Sequence, residues 1–470
     1  MFKGEEKDMK LREKFIGDKK FYIMLFSVAF PIMVQNGISN FVSLLDNIMI
    51  GKLGTEQMSG VAIVNQLMFI FWLCMFGGLS GVGIYTAQYF GSKDEEGIKN
   101  TMRYKLWLGV IICLVATAIF LVFGKDLIEI YLKGNNDGGD KAATLRYGLD
   151  YIKIILFMLP AVCMGMVYTS TMRECSETFI PMVSGLIAVF VNLFLNYLLI
   201  FGKFGFPELG VEGAAIATVI SRYVETAFVY IWIRAHINKY SYFKKAFAKI
   251  TIPAELIKKF FVTSSPLLLN EGCWALGCAM LAQAYSNRGL NVVAGQNIAN
   301  TINNVFNIVF IAMGDAVAII IGKHLGAGEM EKARDTDNKI IATAMMTSVV
   351  IGSVMFATSG LFPQLYNTTD KAKLIATHFI MVQALFMVKD SFLHTTYFTI
   401  RAGGDTVITF FFDSVFMLCV SVPIAYALVK FTALGAAVIF AIVHAADFLK
   451  CIIGFILVKK GIWLKNIVSE

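Results

Sequence analysis

Residues 21–50 read FYIMLFSVAFPIMVQNGISNFVSLLDNIMI, a run in which only Asp46 carries a charge. A helix that crosses the hydrocarbon core of a bilayer needs about 20 mostly apolar residues, and this run exceeds that length. It is also too long for the apolar region of a cleaved signal peptide, and no small-residue cleavage pattern accompanies it. The stretch therefore predicts a first membrane-spanning helix, preceded by a mixed-charge cytoplasmic arm over residues 1–20.

Apolar runs of similar length recur along the whole chain, separated by short polar breaks. Their number and length predict an all-α membrane protein of twelve transmembrane helices. The predicted spans cover residues 21–50, 58–90, 104–124, 148–172, 180–201, 211–235, 258–286, 293–322, 339–362, 374–400, 406–429 and 434–458.

Composition and charge agree with a membrane location. The chain is 57% hydrophobic and 16% charged, whereas soluble proteins carry about a quarter charged residues. With the N-terminus inside, the inside segments carry 28 of the 41 Lys and Arg residues if Lys450 is counted with the C-terminal segment, and the outside loops carry 10. This asymmetry predicts a multi-pass protein of a bacterial-type plasma membrane with both termini in the cytoplasm. It also explains the net charge of +8 by topology and contact with anionic lipid, without a nucleic-acid partner.

The two halves of the chain repeat each other. Four pairs of short motifs occur in the same order in both halves, which is typical of an internal duplication. The pairs are Pro31 with Pro266, Gly91 with Gly326, Arg173 with Arg401 and Gly213 with Gly435, at offsets of 235, 235, 228 and 222. Because each half holds six spans, an even number, both halves enter the membrane from the same side, as in the parallel repeats of many secondary transporters.

The repeat predicts the domain organisation. An N-lobe over residues 21–235 and a C-lobe over residues 258–460 each hold six helices. A basic, aromatic cytoplasmic linker over residues 236–257 connects them, and residues 461–470 form a cytoplasmic tail.

Several functional classes are excluded by missing motifs. No GxxxxGK[ST] loop is present in the sequence, so we do not expect ATP to drive transport within this chain. The eight cysteines form neither a CxxC pair nor a metal spacing with His, and we interpret them as small hydrophobic residues. The sequence shows neither a paired His/Asp metal motif nor a Ser/His nucleophile arrangement, so we do not expect an enzyme. A transmembrane ion gradient is the remaining energy source.

The first span with its exit and the turns after spans 2, 4, 8 and 10 carry a family resemblance. Residues 30–54 read FPIMVQNGISNFVSLLDNIMIGKLG, the turns after spans 2 and 8 read YFGSKDEE and HLGAGEME, and those after spans 4 and 10 read RECSET and RAGGDT. In this order and spacing they resemble transporters of the multidrug and toxic compound extrusion (MATE) family, over residues 20–460. The resemblance implies two pseudo-symmetric six-helix bundles in a V shape. It also implies export of cationic or amphipathic organic compounds, such as drugs, in exchange for H⁺ or Na⁺. We expect a monomer that uses no cofactor apart from the coupling ion.

The first half offers one candidate coupling site. The resemblance assigns an ion-coupling role to Asp46. The alternative is a hydrated carboxylate at the membrane–water interface, near the outer end of the span. Asn192 and Asn196 lie on one face of a helix, because they are four residues apart, and they serve either this site or helix–helix contact. The second position is an Asp in some members of the family, so Asn196 removes a charge. Thr218 is a further candidate, with a bond to its own helix as the alternative. Pro31 removes a backbone hydrogen bond and predicts a hinge in the first span.

The second half offers two candidate coupling acids, Glu271 and Asp390. Ionisable residues at membrane depth are costly and are functional candidates by default. The repeat places Asn36 and Val162 at the equivalent positions, and this loss of symmetry favours function. The alternative for Asp390 is a structural pair with Lys389 or with a nearby cation. We expect the pair with Lys389 to be poor, because adjacent side chains point apart on a helix. We expect no metal site other than a site for Na⁺ at Asp46 or Asp390.

Span 8 carries a polar stripe formed by Gln296, Asn300, Asn303 and Asn307. At helical spacing these residues line either an aqueous substrate cavity or an interhelical seam. Secondary polar candidates elsewhere in the second half are Asp315, Asp413 and His444.

A lipid-linked oligosaccharide flippase of the same superfamily is the alternative function. Its pyrophosphate cargo favours a cavity rich in Arg and Lys. The spans of this chain carry few cations, of which we count Lys153, Arg222 and Lys389, and the acids and amides of both halves favour a cationic cargo.

Overall fold

The computed structural model describes residues 14–132 and 140–469. Most of the predicted arm over residues 1–20, the middle of the loop between the third and fourth predicted spans, and Glu470 therefore lie outside the described residues. The described chain is nearly all helical and contains no β-strand. Its helices are α1 Lys19–Gly51, α2 Thr55–Ser92, α3 Glu95–Leu132, α4 Lys141–Ile155, α5 Leu159–Glu174, α6 Phe179–Phe201, α7 Gly210–Ala235, α8 Ala254–Ser286, α9 Leu290–Gly326, α10 Met330–Thr358, α11 Asp370–Ala402, α12 Thr406–Phe410, α13 Val422–Phe431 and α14 Ala436–Lys460.

Two of the twelve predicted spans are interrupted helices. A 3₁₀ turn at Leu156–Met158 joins α4 to α5, and two π-helical segments, Phe411–Val415 and Met417–Ser421, join α12 to α13. With these joined, every predicted span has a helical counterpart, and the all-α prediction is confirmed. Eleven segments of the described chain are long and apolar enough to cross a membrane. The twelfth, α8, is as long as α1, but its Thr, Ser, Asn and Glu side chains make it more polar.

The outward faces of the helices are apolar. Large side chains such as Leu121, Val122 and Phe190 are more than half exposed in the isolated chain. A soluble protein rarely exposes extensive apolar patches, because contact between such surfaces and water is unfavourable. The exposed apolar faces therefore fit helices that are surrounded by lipid.

The described residues divide into two compact units. Unit 1 contains the described residues of Met1–Met33 together with Ala87–Asp94 and the described residues of Val262–Glu470. Unit 2 contains Val34–Thr86 and the described residues of Glu95–Phe261. Helices α1, α2 and α8 each contribute to both units, and α1 divides two residues after Pro31, which lies inside the continuous helix. The predicted lobe boundaries stay a prediction.

Within unit 1, the last turn of α2 packs closely on the last turn of α9. A Cβ atom at Gly91 would lie 2.0 Å from the carbonyl oxygen of Lys323, and one at Gly326 would lie 1.9 Å from the carbonyl oxygen of Gln88. Only glycine permits such a close backbone approach. Gly91 and Gly326 are partners in the sequence repeat, and Gln88 and Lys323 share the same offset of 235. The contact is therefore reciprocal, as expected for equivalent surfaces of a duplicated chain.

The C-terminal tail packs onto this crossing. The side-chain amide of Gln88 donates to the carbonyl oxygens of Ala402 and Lys465 at 3.0 and 3.2 Å, and its oxygen accepts from the backbone N–H of Ile467 at 2.9 Å. The indole of Trp463 is fully buried in the unit 1 core. The tail is thus an ordered part of unit 1.

In unit 2, the predicted linker packs against helix ends. Arg103 on α3 donates through Nε to the carbonyl oxygen of Ala246 at 2.8 Å. The hydroxyl of Tyr240 and the ammonium of Lys239 both donate to Glu177, at 2.9 and 2.8 Å. The hydrogen bond to Glu177 raises the pKa of Lys239. These bonds fix the linker on unit 2, with its Lys-rich side exposed.

Candidate functional site

The Asp46 cluster lies in unit 2 and joins α1, α6 and α7. The amide nitrogen of Asn196 donates to the Asp46 carboxylate at 2.7 Å. The Asn192 amide satisfies both of its ends when its nitrogen faces the carboxylate, where it lies 3.1 Å from each oxygen of Asp46, and its oxygen then accepts from the Thr218 hydroxyl at 3.3 Å. The structure therefore brings together all four residues predicted for the first half. In that orientation the single hydroxyl proton of Thr218 goes to Asn192 in place of the carbonyl oxygen of Ala214 in its own helix, which lies at 3.0 Å.

The Asp46 carboxylate has no cation among its described hydrogen-bond donors, although the charge of Arg222 acts on it from a greater distance. Asn192 and Asn196 are buried and neutral, so the carboxylate of Asp46 accepts bonds from amides alone among the hydrogen-bond donors described. In addition, the side-chain oxygen of Asn196 is buried and accepts no hydrogen bond from any described residue. A buried polar atom without a partner is costly. The cluster therefore presents carboxylate and amide oxygens to which a proton or a hard cation can bind.

Sequence reasoning missed two features near Asp46. The buried ring of Tyr151 on α4 places its hydroxyl where it interacts with Asp46 and Thr218. Arg222, counted as an intramembrane cation, pairs with Glu225 on the next turn of α7 at 2.6 Å. The spacing of three residues could have revealed that pair, because residues three apart are neighbours on a helix. Nothing in the sequence pattern indicated Tyr151.

The Lys389 cluster lies in unit 1, between α11 and α14. The ammonium of Lys389 is 2.7 Å from Oδ1 of Asp390 and 3.0 Å from Oδ2 of Asp447. It also donates to the carbonyl oxygen of His444 at 3.2 Å. The expectation of a poor Lys389–Asp390 pair was therefore wrong. Successive residues leave a helix about 100° apart, but the long lysine side chain reaches back to the Asp390 carboxylate while the acid of α14 holds its other side.

The Asp413 network is a second charged group in unit 1. Lys450 on α14 donates to Asp413 at 2.7 Å, and the amide of Asn270 on α8 donates to Asp413 and to the Tyr397 hydroxyl, each at 3.3 Å. Glu271 follows Asn270, is partly exposed, and lies within the electrostatic reach of Asp413. The structure therefore places Glu271 beside this network, and Asp390 in the separate Lys389 cluster.

The π-helical segments serve both charged groups of unit 1. The Ser414 hydroxyl donates to the backbone and side-chain oxygens of Asn270 at 2.8 and 2.7 Å. The Ser421 hydroxyl donates to Asp447 at 3.4 Å. Widened helical turns of this kind occur frequently at functional sites, and here they aim hydroxyls at the two networks.

Sequence reasoning also missed Asp447 and Lys450. Lys450 was counted with the C-terminal segment, although it lies inside α14, and Asp447 was not considered. The signal was present in the sequence, since two ionisable residues three positions apart interrupt the apolar run of the last span. A fully buried acid, Asp337 on α10, was missed as well; it accepts from the Thr399 hydroxyl at 2.6 Å.

The polar stripe on α9 is accessible. Asn300 is exposed, and Gln296, Asn303 and Asn307 are partly exposed. Among the described hydrogen bonds, one joins the stripe to another helix, from the amide of Gln383 on α11 to the oxygen of Asn300 at 3.5 Å. The exposure argues against a fully packed seam, and the role in a substrate cavity stays a prediction.

Comparisons with known proteins agree on one family. The MatE family model matches residues 31–198 and 274–427, together more than half of the chain and in both halves. The chain is 23% identical to the "Probable multidrug resistance protein NorM" of Thermotoga maritima over 422 residues, 87% of this chain and 86% of that protein. It is 24% identical to the multidrug resistance protein PmpM of Pseudomonas aeruginosa, over 86% of this chain and 83% of that protein.

Solved structures share the fold. A crystal structure described as MATE in the bent conformation superimposes with a TM-score of 0.83 and covers 93% of this chain and 94% of its own, at 19% identity. An outward-facing multidrug resistance MATE transporter superimposes with a TM-score of 0.79 over 93% of this chain and 94% of its own, also at 19% identity. At this identity the likeness concerns the fold alone, and it confirms the fold that the sequence motifs predicted.

Proposed function

Because this chain belongs to the MATE family of membrane transporters, we propose that it exports cationic or amphipathic organic compounds across a plasma membrane in exchange for H⁺ or Na⁺. It is a transporter and not an enzyme. The proposal needs no cofactor, only the coupling ion, and it treats a single chain as the working unit. Drug-like small molecules are the proposed cargo, in keeping with the names of the multidrug resistance relatives.

The observation that carries the proposed coupling is the composition of the Asp46 cluster. A carboxylate inside a membrane-spanning helix, bonded only to amides among the described hydrogen-bond donors, gains most from an arriving proton or cation. Neutralising Asp46 weakens its charge-assisted bonds to Asn192 and Asn196, because a neutral carboxyl is a poorer acceptor. The ion therefore changes the relation between α1 and α6.

Coupling requires that this change differ between the ion-loaded and cargo-loaded states. Pro31 lies about four turns before Asp46 on the same helix, and it leaves a backbone carbonyl without its helical partner. We propose that α1 bends at Pro31 when Asp46 is neutralised, and that this bending expels the cargo outward. Glu271, Asp390 and the α9 stripe with Gln296, Asn300, Asn303 and Asn307 provide the negative and polar surface for cationic cargo.

The proposed function includes the orientation of the chain in the membrane. The distribution of Lys and Arg supports cytoplasmic N- and C-termini and a cytoplasmic linker. The flippase alternative loses support because Lys389, Lys450 and Arg222 each pair with an acid and are therefore not available to a pyrophosphate. Lys153 is exposed and lies 3.7 Å from Asp150.

Reconstitution tests the proposed function. The purified chain in proteoliposomes loaded with ethidium, a permanently cationic dye, should release the dye when a pH or Na⁺ gradient is imposed across the membrane, and should not release it faster when ATP alone is added. Dye release that is unaffected by either gradient would contradict antiport. Uptake of labelled lipid-linked pyrophosphate in place of ethidium would favour the flippase.

A further inference from the structure

The ammonium of Lys389 has the surroundings of a bound cation. Three oxygens surround the ammonium nitrogen: those of Asp390 at 2.7 Å, Asp447 at 3.0 Å and the His444 carbonyl at 3.2 Å. The ring nitrogen Nδ1 of His444 lies at 3.5 Å. The lysine side chain is only 2% exposed. The positive charge of Lys389 is therefore compensated inside the protein.

The same groups would hold an inorganic cation if the lysine were absent. One oxygen from each of Asp390 and Asp447 and a ring nitrogen of His444 lie within 4.8 Å of one another. Two carboxylates at this separation repel each other strongly in a poorly solvated site. They need a positive charge between them, and carboxylate and carbonyl oxygens are the ligands that hard cations prefer.

Two members of the Lys389 cluster, Lys389 and Asp390, have no charged counterparts in the first half. At the repeat offset of 228, Lys389 and Asp390 correspond to Ala161 and Val162. The lysine and the acid are therefore absent together from the first half, which fits a role in which each requires the other. The Asp46 cluster, by contrast, has no lysine among its described hydrogen-bond donors.

We propose that Lys389 is a tethered cation that occupies the cation site formed by Asp390, Asp447 and His444, so that this site binds no inorganic ion in the native transporter. The coupling ion of the proposed function then acts at the Asp46 cluster and not at the Lys389 cluster. Two carboxylates and one ammonium leave a single negative charge in the Lys389 cluster, and this charge attracts cationic cargo without consuming a coupling ion. The inference rests on the proposed function, since it assigns which acids remain open to the ion.

Replacing the tether by an uncharged side chain of similar length tests the proposal. Lys389→Met keeps an unbranched side chain and removes the ammonium. We expect purified Lys389→Met to bind ²²Na⁺ at least about tenfold more tightly than the native chain, the effect of roughly 1.4 kcal/mol, and its melting temperature to rise as Na⁺ is added. Lys389→Arg is the matched control, and it should gain no Na⁺ binding because the positive charge remains.

Replacing Asp447 or Asp390 provides a second experiment. Adding Asp447→Asn to Lys389→Met should abolish the gained ²²Na⁺ binding. A folded Lys389→Met that gains none would overturn the proposal. If that variant fails to fold, the measurement is made with Asp46→Asn, which keeps the tether. That variant should show no saturable ²²Na⁺ binding, and saturable binding that disappears on adding Asp390→Asn would show that the native site is open to ions.

Because these measurements report ion binding and not transport, they separate this inference from the proposed function. A chain that fails to exchange ethidium for an ion in proteoliposomes contradicts the proposed function, and it leaves the ²²Na⁺ result on Lys389→Met unchanged.

Discussion

The Asp46 cluster and the Lys389 cluster both place carboxylates inside membrane-spanning helices, but they differ in what compensates the charge. Asp46 receives hydrogen bonds from two neutral amides, whereas Asp390 and Asp447 share a lysine ammonium. Amides orient a carboxylate without neutralising it, while an ammonium does both. The comparison teaches that two acids within membrane spans differ in their capacity for an ion according to whether a neutral amide or an ammonium lies beside them.

The largest expected effect comes from removing the charge that distinguishes the clusters. Lys389→Ala leaves two acids facing each other, and we expect the free energy of unfolding to fall by about 3 kcal/mol, the lower end of the range for a broken buried ion pair, because both acids keep partial access to water. Thermal denaturation in detergent measures this.

The control for Lys389→Ala is Lys153→Ala. It removes the same charge from a lysine that is 67% exposed and 3.7 Å from Asp150, where we expect a change of less than about 1 kcal/mol. Equal melting temperatures for the two variants would mean that the Lys389 cluster does not need its ammonium.

A smaller effect should follow from making the Asp46 cluster more acidic. Asn196→Asp brings a second carboxylate next to Asp46, where the native amide lies at 2.7 Å. Like charges at this distance favour a bound cation or proton, so we expect about tenfold tighter Na⁺ binding at high pH, equivalent to roughly 1.4 kcal/mol. Isothermal titration with Na⁺ measures it, with the exposed Asn287→Asp as control. Unchanged affinity would show that Asn196 does not border the ion.

The smallest effect concerns the hinge. Pro31→Ala restores a backbone donor within α1, so we expect ethidium efflux to slow by about threefold, equivalent to roughly 0.7 kcal/mol, while Na⁺ affinity changes less. Pro160→Ala, in the first turn of α5, is the control, since proline is tolerated there. A variant in which ion affinity falls and efflux does not would contradict a hinge at Pro31.

How far the sequence predicted the structure depended on whether the determining contacts were local. The spans followed from hydropathy alone, because bilayer thickness sets helix length. The pairing of Asn192 with Asn196 followed from helical spacing, and the resemblance supplied Asp46. The tertiary structure decides which helices pack against α1. The contact of Tyr151 with the Asp46 cluster could therefore not be predicted from the local sequence pattern.

The error at Lys389 has the same origin. Considering only Lys389 and Asp390, neighbours on one helix, sequence reasoning predicted two side chains that point apart. Asp447 on α14 changes this, because its carboxylate and the His444 carbonyl hold the ammonium in reach of Asp390. Charged residues within a span are therefore best interpreted together with those of every other span, including the last.

The central claim is that the coupling ion acts at Asp46, and ethidium efflux by Asp46→Asn in proteoliposomes tests it most directly. At matched protein density, this variant should lose the dependence of efflux on the pH or Na⁺ gradient while still binding ethidium. Asp390→Asn, the matched change in the Lys389 cluster, should transport more slowly but keep the dependence. The contradicting result is an Asp46→Asn variant that keeps the native dependence on the gradient while Asp390→Asn loses it.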